Sequence, residues 1–344
     1  MPKQEKNHIS PRSKVRIGVI GAGGISQVTH IPNILSDPRA ELIAICDTDA
    51  RRASLVAERF GIPTWFDQPE ALFQHTRLDC VLIATPTITH TALSRMALEY
   101  GVDVLLEKPL ARTLGEGLAI REAVEKSGKI LMVGMNHRFR PDILHLQKVI
   151  EEGQLGEIIM VRGGWLKQLG TWGRPYWFAD PRMSGGGVMM DLGLQMIDLT
   201  LYLLDYPEVV DVSANISHKA LELEVEDSAA LFIRFSNNIS FLLEVSWANC
   251  DDHDKAYLWF SGTHGVATLN PLRIVFRQLD HTVKSKLPSF GDEVKLYKNS
   301  YRAELAHFLT CVQTRQPPGS DIYEALTVMK VVEQVYRSAG VVVG

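Results

Sequence analysis

The stretch Lys14 to Ile25, KVRIGVIGAGGI, constrains the fold more than any other part of the chain. Val15, Ile17, Val19 and Ile20 make the short apolar run of a buried strand, which breaks into Gly21, Ala22, Gly23 and Gly24 before a helical pattern begins at Ile25. A strand that turns so tightly into a helix aims the free N–H groups of the helix start at one point, and glycine lets an anion approach the backbone there. The third small position of the turn is Ser26 instead of glycine, which still permits close helix–strand packing. Alone, such a turn is an ordinary strand–helix corner. A second strand, Glu41 to Cys46, ends in Asp47, at the spacing of roughly 20 residues where a carboxylate accepts the ribose hydroxyls of a dinucleotide.

The rhythm that follows supports this reading. Helical ARRASLVAERFG stops at Gly61, TWF and DCVLIATP read as strands around a helical PEALFQH, and His90 to Tyr100 is helical. DVLLEKP, a helix from Gly115 to Ser127 and ILMVGM then complete the series. Strands alternating with helices predict a parallel sheet wound on both faces, with ligands beyond the C-terminal strand ends, where Gly21, Asp47, Thr85 and Lys108 fall. From Asn136 the pattern changes. A helix over Pro141 to Glu152, a strand over Glu157 to Leu166, a loop rich in Gly, Trp and Arg up to Gly187 and a helix over Val188 to Leu204 precede six alternating stretches with no helix between them: VVDVSANIS, SAALFIRFS, ISFLLEVSWA, AYLWFSG, VATLN and RIVFRQL. Consecutive strands predict a largely antiparallel sheet, closed by helices near Tyr301 to Thr314 and Ile322 to Ser338. The chain is thus expected to divide into a loose arm (1–13), an α/β dinucleotide-binding domain (14–135) and an α+β domain (136–344), in keeping with a length of 344 residues.

Charge and cysteine usage narrow the class. With 36 Lys and Arg against 40 Asp and Glu, the net charge of −4 invites neither nucleic acid nor an anionic membrane, so an anionic ligand must be met by local groups. The polar N-terminus has no signal-peptide core and no run approaches a membrane span. Cys46, Cys80, Cys250 and Cys311 are scattered without paired metal-ligand spacing, which predicts no metal and fits a reducing cytoplasm.

Two segments carry candidate chemistry. Glu107, Lys108 and Pro109 end the fifth strand, where a lysine reaches the ligand crevice or is merely solvated. In Ser184 to Asp198, three glycines precede a helix on which Asp191 and Gln195, four apart, share a face, either as polar edge of the core stripe Met190, Leu194, Ile197 and Leu201 or as site residues. Trp172, Arg174, Tyr176 and Trp177 suit stacking on sugar rings or pairing with anions, or simply interface packing. Arg162 and Lys167 either add an anion contact or are solvated.

At this point GAGGIS, ICDTDARRA, ATPTITH, the EKP tripeptide, VGMNHRFRP, WFADPRMSGGG and the D-x-G-x-x-x-x-D helix resemble, in order and over roughly Lys14 to Val342, the glucose–fructose oxidoreductase, inositol dehydrogenase and rhizopine-catabolism (Gfo/Idh/MocA) family. The resemblance implies a Rossmann domain, a second domain with a large open sheet, and dimers or tetramers packed through it. It also implies NAD or NADP and hydride transfer to or from a sugar, sugar derivative or cyclic polyol. It places the cofactor on Gly21, Gly23, Gly24, Ile25, Asp47, Arg52, Thr85, Pro86, His90, Glu107 and Lys108, the substrate on His137, Arg174, Trp177, Asp191 and Gln195, and catalysis on Lys108, Asp191 and Gln195. Asp47 should repel a 2′-phosphate and so favour NAD, although Arg51 and Arg52 keep NADP open.

One position departs from the family pattern: its histidine is Gln195 here, and an amide cannot take the proton that alcohol oxidation releases. Three repairs follow. Lys108 is the acid/base, its pKa lowered by burial and a neighbouring cation; or another histidine such as His137 lies within reach; or the protein binds a dinucleotide without turnover, as a sensor or structural protein. A glycoside hydrolase using transient oxidation is a further rival. The lysine reading suits carbonyl reduction, in which an ammonium protonates the developing alkoxide.

Overall fold

The computed structural model describes residues 14–170, 176–278 and 283–341. Strand β1 (Val15–Ile20) lies inside a six-stranded parallel sheet of order β3-β2-β1-β4-β5-β6, with β2 Ala40–Cys46, β3 Thr64–Phe66, β4 Cys80–Ile83, β5 Asp103–Glu107 and β6 Leu131–Gly134. The central positions of the strands are apolar because both faces are covered, while Arg16, Glu41, Asp103 and Glu107 fall toward strand ends. Ile17 and Val19 join Leu82, Leu105 and Met132 on one face, while Ile20 joins Val81, Ile83, Val104 and Leu106 on the other. Helices α1 (Ile31–Ser36), α2 (Ala50–Phe60), α3 (Pro69–His75), α4 (His90–Glu99) and α5 (Leu114–Ser127) form the crossovers. Strand order reverses between β1 and β4, which opens a crevice beyond their C-terminal ends.

Beyond α6 (Pro141–Glu151), an eight-stranded sheet has the order β14-β13-β12-β11-β7-β10-β9-β8. Its strands are β7 Ile158–Gln168, β8 Val209–Ser217, β9 Ser228–Phe235, β10 Ser240–Asn249, β11 Lys255–Gly262, β12 Gly265–Thr268, β13 Arg273–Arg277 and β14 Val283–Lys286. Among the described residues of this sheet only β7 and β10 pair in parallel; β7 comes before the helical segment in sequence, and the later strands build around it, so that it lies centrally between β10 and β11. Strand β14 was not expected, since VKSK is exposed throughout and has no apolar alternation; its lysines protect a free sheet edge.

Helices α7 (Pro181–Ser184) and α8 (Leu194–Leu203) lie between β7 and β8 in sequence, and α9 (Glu293–Thr314) and α10 (Ile322–Ser338) follow the sheet. Helix α9 begins at Glu293 instead of Tyr301, because Asp292 caps it by accepting from the Lys295 amide while the first turns are mostly polar and carry little periodicity. Leu305, Phe308 and Leu309 of α9 complete the β1 face of the nucleotide sheet. Arg138 ties the layers together: its Nε donates to Asp198 Oδ2 on α8 at 2.8 Å and its Nη1 to the Gly319 carbonyl at 2.7 Å, with a further pair to Glu324 on α10. Among the described residues no helix is long and apolar enough to cross a membrane.

Candidate active site

The glycine turn is built for close approach. Gly21 has φ +100°, and a Cβ there would stand 2.2 Å from the Ala84 carbonyl oxygen, so only glycine lets the ends of β1 and β4 meet. Side chains at Gly23 and Gly24 would instead project into open space, which leaves room above the turn for a diphosphate. Ser26 takes the place of the third glycine by donating its hydroxyl to the Gly21 carbonyl at 2.6 Å. From Ile25 the helix enters a wide π-helical turn over Ser26–His30. Asp47 is fixed at the end of β2, Oδ2 accepting from the Ala22 amide at 2.8 Å and Oδ1 from the Asp49 amide at 2.9 Å. The Arg52 guanidinium lies 3.6 Å from Oδ2 and also reaches Asp49. A carboxylate held this way meets a 2′-phosphate as a like charge, and two charges about 4 Å apart near a protein surface repel by about 1 to 4 kcal/mol. Calorimetric titration should therefore give NADH binding tighter than NADPH by about tenfold or more; tighter NADPH would mean that Arg52 leaves Asp49 to take the phosphate.

On the other side of the crevice Thr85 and Thr89 share a hydroxyl bond of 2.7 Å across the turn that Pro86 begins. His90, 1% exposed, sits between two loops with Nδ1 2.8 Å from the Pro109 carbonyl and Nε2 3.0 Å from the Thr85 carbonyl. Both ring nitrogens face loop carbonyls and the buried, neutral ring donates to one of them, so His90 sits between the Thr85 and Lys108 loops without turning a nitrogen into the crevice.

Lys108 and Asp191, from the two halves of the chain, meet there: Lys108 Nζ donates to Asp191 Oδ1 at 2.8 Å. Asp191 lies in a second π-helical turn, Met189–Gly193, and its Oδ2 accepts from the Trp247 indole at 3.2 Å. The turn is anchored upstream by Glu226, whose Oε1 accepts from the amides of Gly187 and Met189 at 2.9 Å each and from the Tyr336 hydroxyl at 2.8 Å. Burial alone would push Lys108 down, but the Asp191 carboxylate outweighs it and holds the ammonium above its ordinary pKa. This corrects the expectation of a lysine depressed by a neighbouring cation: the neighbour is an anion. Behind Lys108, Glu107 accepts from His30 Nε2 at 2.6 Å, and His30 stands edge-on to Tyr301 at 5.5 Å. Burial, together with the Glu107 charge, pushes the enclosed Glu304 carboxyl well above the usual range.

Gln195 is 8% exposed and its Nε2 donates to the Asp191 backbone carbonyl at 2.7 Å. His137 lies edge-on to Trp165, ring centres 5.3 Å apart, and tilted against Tyr297 at 6.2 Å. Burial, then the Arg140 and Lys108 cations, push its imidazole down to about 3. A ring so reluctant to take a proton is a poor general base near neutrality, which weakens the repair that replaces the missing histidine with His137. Trp177 stacks on Phe178 at 4.0 Å in a short turn whose successor, α7, packs near Thr87–Thr89. Arg174 and Trp172 lie outside the described residues. Arg162 stands over the Trp259 ring at 5.7 Å on the outer face of the large sheet, and Lys167 pairs with Asp254 at 2.6 Å, so neither turns into the crevice.

Several groups escaped the sequence reading. Trp247, the third partner in the Lys108–Asp191 arrangement, lies on a strand where its inward alternation reads as core. Tyr297 falls in the part of α9 that lacks periodicity, and Glu226 lies between two strand stretches in a segment that carries no motif.

Comparison with known proteins agrees with this geometry. Residues 15–135 match the family described as an oxidoreductase family with an NAD-binding Rossmann fold, and residues 143–268 match the GFO/IDH/MocA C-terminal domain. The chain is 28% identical over 344 residues to D-glucoside 3-dehydrogenase of Escherichia coli, covering 95% of this chain and 96% of that protein. It is 29% identical to the NAD-dependent scyllo-inositol 2-dehydrogenase of Bacillus subtilis, covering 89% and 88%. The solved structure of levoglucosan dehydrogenase in complex with NADH superposes with a TM-score of 0.86 at 23% identity, covering 95% of this chain and 97% of that one, which shows the shared fold. The chain therefore belongs to the Gfo/Idh/MocA family of NAD-binding oxidoreductases.

Proposed function

We propose that the protein is an NAD-dependent dehydrogenase or reductase that moves a hydride between nicotinamide and a carbon of a sugar, sugar derivative or cyclic polyol, with Lys108 as the acid/base. The observation that carries this is the Lys108–Asp191 contact of 2.8 Å at the mouth of the nucleotide sheet, with an amide where the family places an imidazole. The cofactor, when bound, supplies or takes the hydride. In the reducing direction Lys108 gives up one N–H proton as the O–H bond of the product alcohol forms, and the amine left beside Asp191 is reprotonated from water. Asp191, oriented by Trp247, keeps the lysine charged and aimed. In oxidation the lysine must first be neutral, which the same carboxylate opposes; reduction is the favoured direction.

Two features support the wider setting. Trp259 and Leu242 flank Arg162 in register on the outer face of the large sheet and are 39% and 42% exposed, which favours a homodimer or homotetramer packed through that face. All four cysteines are free and three are buried, which suits a reducing cytoplasm.

The test is to incubate the pure protein with NADH or NAD and a panel of inositols, inososes, glycosides, ketoglycosides and pentoses while following the absorbance of the reduced cofactor. Turnover is the expected result. Calorimetric cofactor binding with no turnover on any member of the panel would favour the non-catalytic reading. With a good substrate, Gln195→Ala should raise KM more than it lowers kcat, because a contact to a spectator hydroxyl is present before and during hydride transfer. Gln195→His should not add an oxidation limb near the imidazole pKa of about 6.5, since a single substitution seldom restores a positioned acid/base pair and Asp191 is already engaged by Lys108 and Trp247. A new pH-dependent oxidation in that variant would show that only a base was missing.

A further inference from the structure

Three successive backbone N–H groups at the start of the helical segment that bears Asp191 end on one buried residue, Glu226. The Gly187 and Met189 amides donate to its Oε1 at 2.9 Å each, and the Val188 amide donates to its carbonyl oxygen at 2.9 Å. The Tyr336 hydroxyl on α10 donates to the same Oε1 at 2.8 Å and fixes the carboxylate. The first N–H groups of a helix have no partner within it, so the group that accepts from them sets where the helix begins. Glycine at 187 belongs to this fit, because a Cβ there would collide with the Glu226 carbonyl oxygen. The next residue, Asp227, accepts from the Trp247 amide at 2.8 Å through its carbonyl, and the Trp247 indole donates to Asp191 Oδ2. One dipeptide thus holds both segments that converge on Asp191, the helix start and β10.

We infer that Glu226 is a positioning residue for proton transfer: its carboxylate seats the turn Met189–Gly193 so that Asp191 lies within hydrogen-bond reach of Lys108. This rests on the proposed function, in which Lys108 is the acid/base. Glu226 acts through geometry. Asp191 Oδ1 accepts from Lys108 Nζ at 2.8 Å, and the attraction between the two charges weakens as they separate. Lys108 is faced by Asp191 from the helical turn, by Glu107 from the end of β5, by Tyr297 from α9 and by His137 from the turn after β6. Of these, Asp191 alone is carried by the segment that Glu226 holds. A helix start released from Glu226 lets Asp191 draw away, and burial then acts on the ammonium with less to oppose it.

The experiment follows the Lys108 titration in the full-length protein by NMR of isotope-labelled lysine side chains, the signal being the one lost in Lys108→Arg. It also measures kcat for reduction by NADH on the best substrate of the panel above. Glu226→Leu removes the acceptor and nearly keeps the volume. It should move the Lys108 titration to lower pH and reduce kcat by about 10- to 100-fold, as misplacement near a reacting centre does, with NADH affinity unchanged. Glu226→Asp keeps the charge but is one methylene short of the two amides, and should move the titration in the same direction. Glu226→Gln, whose amide oxygen accepts from the same N–H groups, should recover most of both properties. Where Glu226→Leu fails to fold, Glu226→Asp decides in its place. A wild-type Lys108 titration in the folded Leu or Asp variant would overturn the inference and leave the proposed function standing, since Glu226 would then be a structural anchor alone. A shift in Glu226→Gln without one in Glu226→Asp would overturn it too, because charge and not geometry would be acting. A shifted titration with kcat untouched would uphold the coupling of Glu226 to Lys108 and overturn the assignment of proton transfer to Lys108.

Discussion

Lys108→Ala should lower kcat for carbonyl reduction by about 100- to 10,000-fold, the usual contribution of a positioned proton-transfer group, with cofactor affinity nearly unchanged. Lys108→Arg separates two roles that the alanine variant merges. Arginine keeps the charge and an ion pair to Asp191, but its pKa above about 12 makes it a poor proton donor. It should therefore restore little of kcat, although it restores much of any loss in substrate binding. The pH dependence has a defined sign. Because Asp191 holds the Lys108 ammonium above its ordinary pKa, the acid is present through neutrality, and kcat for reduction should fall only as pH passes the ordinary lysine value of about 10.4 and beyond. In Asp191→Asn the raising partner is gone while burial remains, so the alkaline fall should move to lower pH. A Lys108→Ala enzyme that keeps most of its kcat would reduce Lys108 to one half of an interdomain ion pair.

The parts of this site that could be read from the sequence are those whose chemistry is local. The run Val15–Ile20 into Gly21 needs no distant residue to declare a strand and a turn, and Asp47 follows from its place at the end of the next strand. Lys108 and Asp191 were each legible as ends of elements, but their contact joins positions 83 apart and arises only when the two sheets pack. Trp247 and Tyr297 gave no sign of function, because an inward tryptophan on an alternating strand and a tyrosine on a polar helical turn are what ordinary packing produces. The two π-helical turns also had no signature. Their sequences, SQVTH and MMDLG, are compatible with an ordinary helix, yet the widened turns lie where His30 approaches Glu107 and where Asp191 meets Lys108. Ser26 reads in the sequence as a small residue that permits close packing, and nothing there shows its hydroxyl tying the glycine turn to its helix.

The largest effect on stability should come from Asp198→Ala. Asp198 and Arg138 are each 1% exposed, and the guanidinium also reaches the Gly319 carbonyl and Glu324 and lies over the Tyr202 ring at 4.9 Å. Removing one partner of a buried pair leaves the other charge uncompensated, which typically costs about 3 to 5 kcal/mol. Glu324 is 32% exposed on its side chain and partly hydrated, so it cannot replace a carboxylate that grips the guanidinium from within the core. Urea unfolding should accordingly show an earlier midpoint for Asp198→Ala, with the loss spread over both halves of the chain, since the pair joins the turn after β6 to α8 and α10. Replacing both charges, as Arg138→Met with Asp198→Leu, should recover much of the stability, because a buried ion pair exchanged whole for apolar groups is often close to neutral. The same double variant should nevertheless bind substrate less well than the wild type, because Arg138 also fixes the turn that presents His137. Stability recovered together with full substrate affinity would mean that packing alone holds the turn, and an unchanged midpoint in Asp198→Ala would mean that the pair contributes nothing to joining the two sheets.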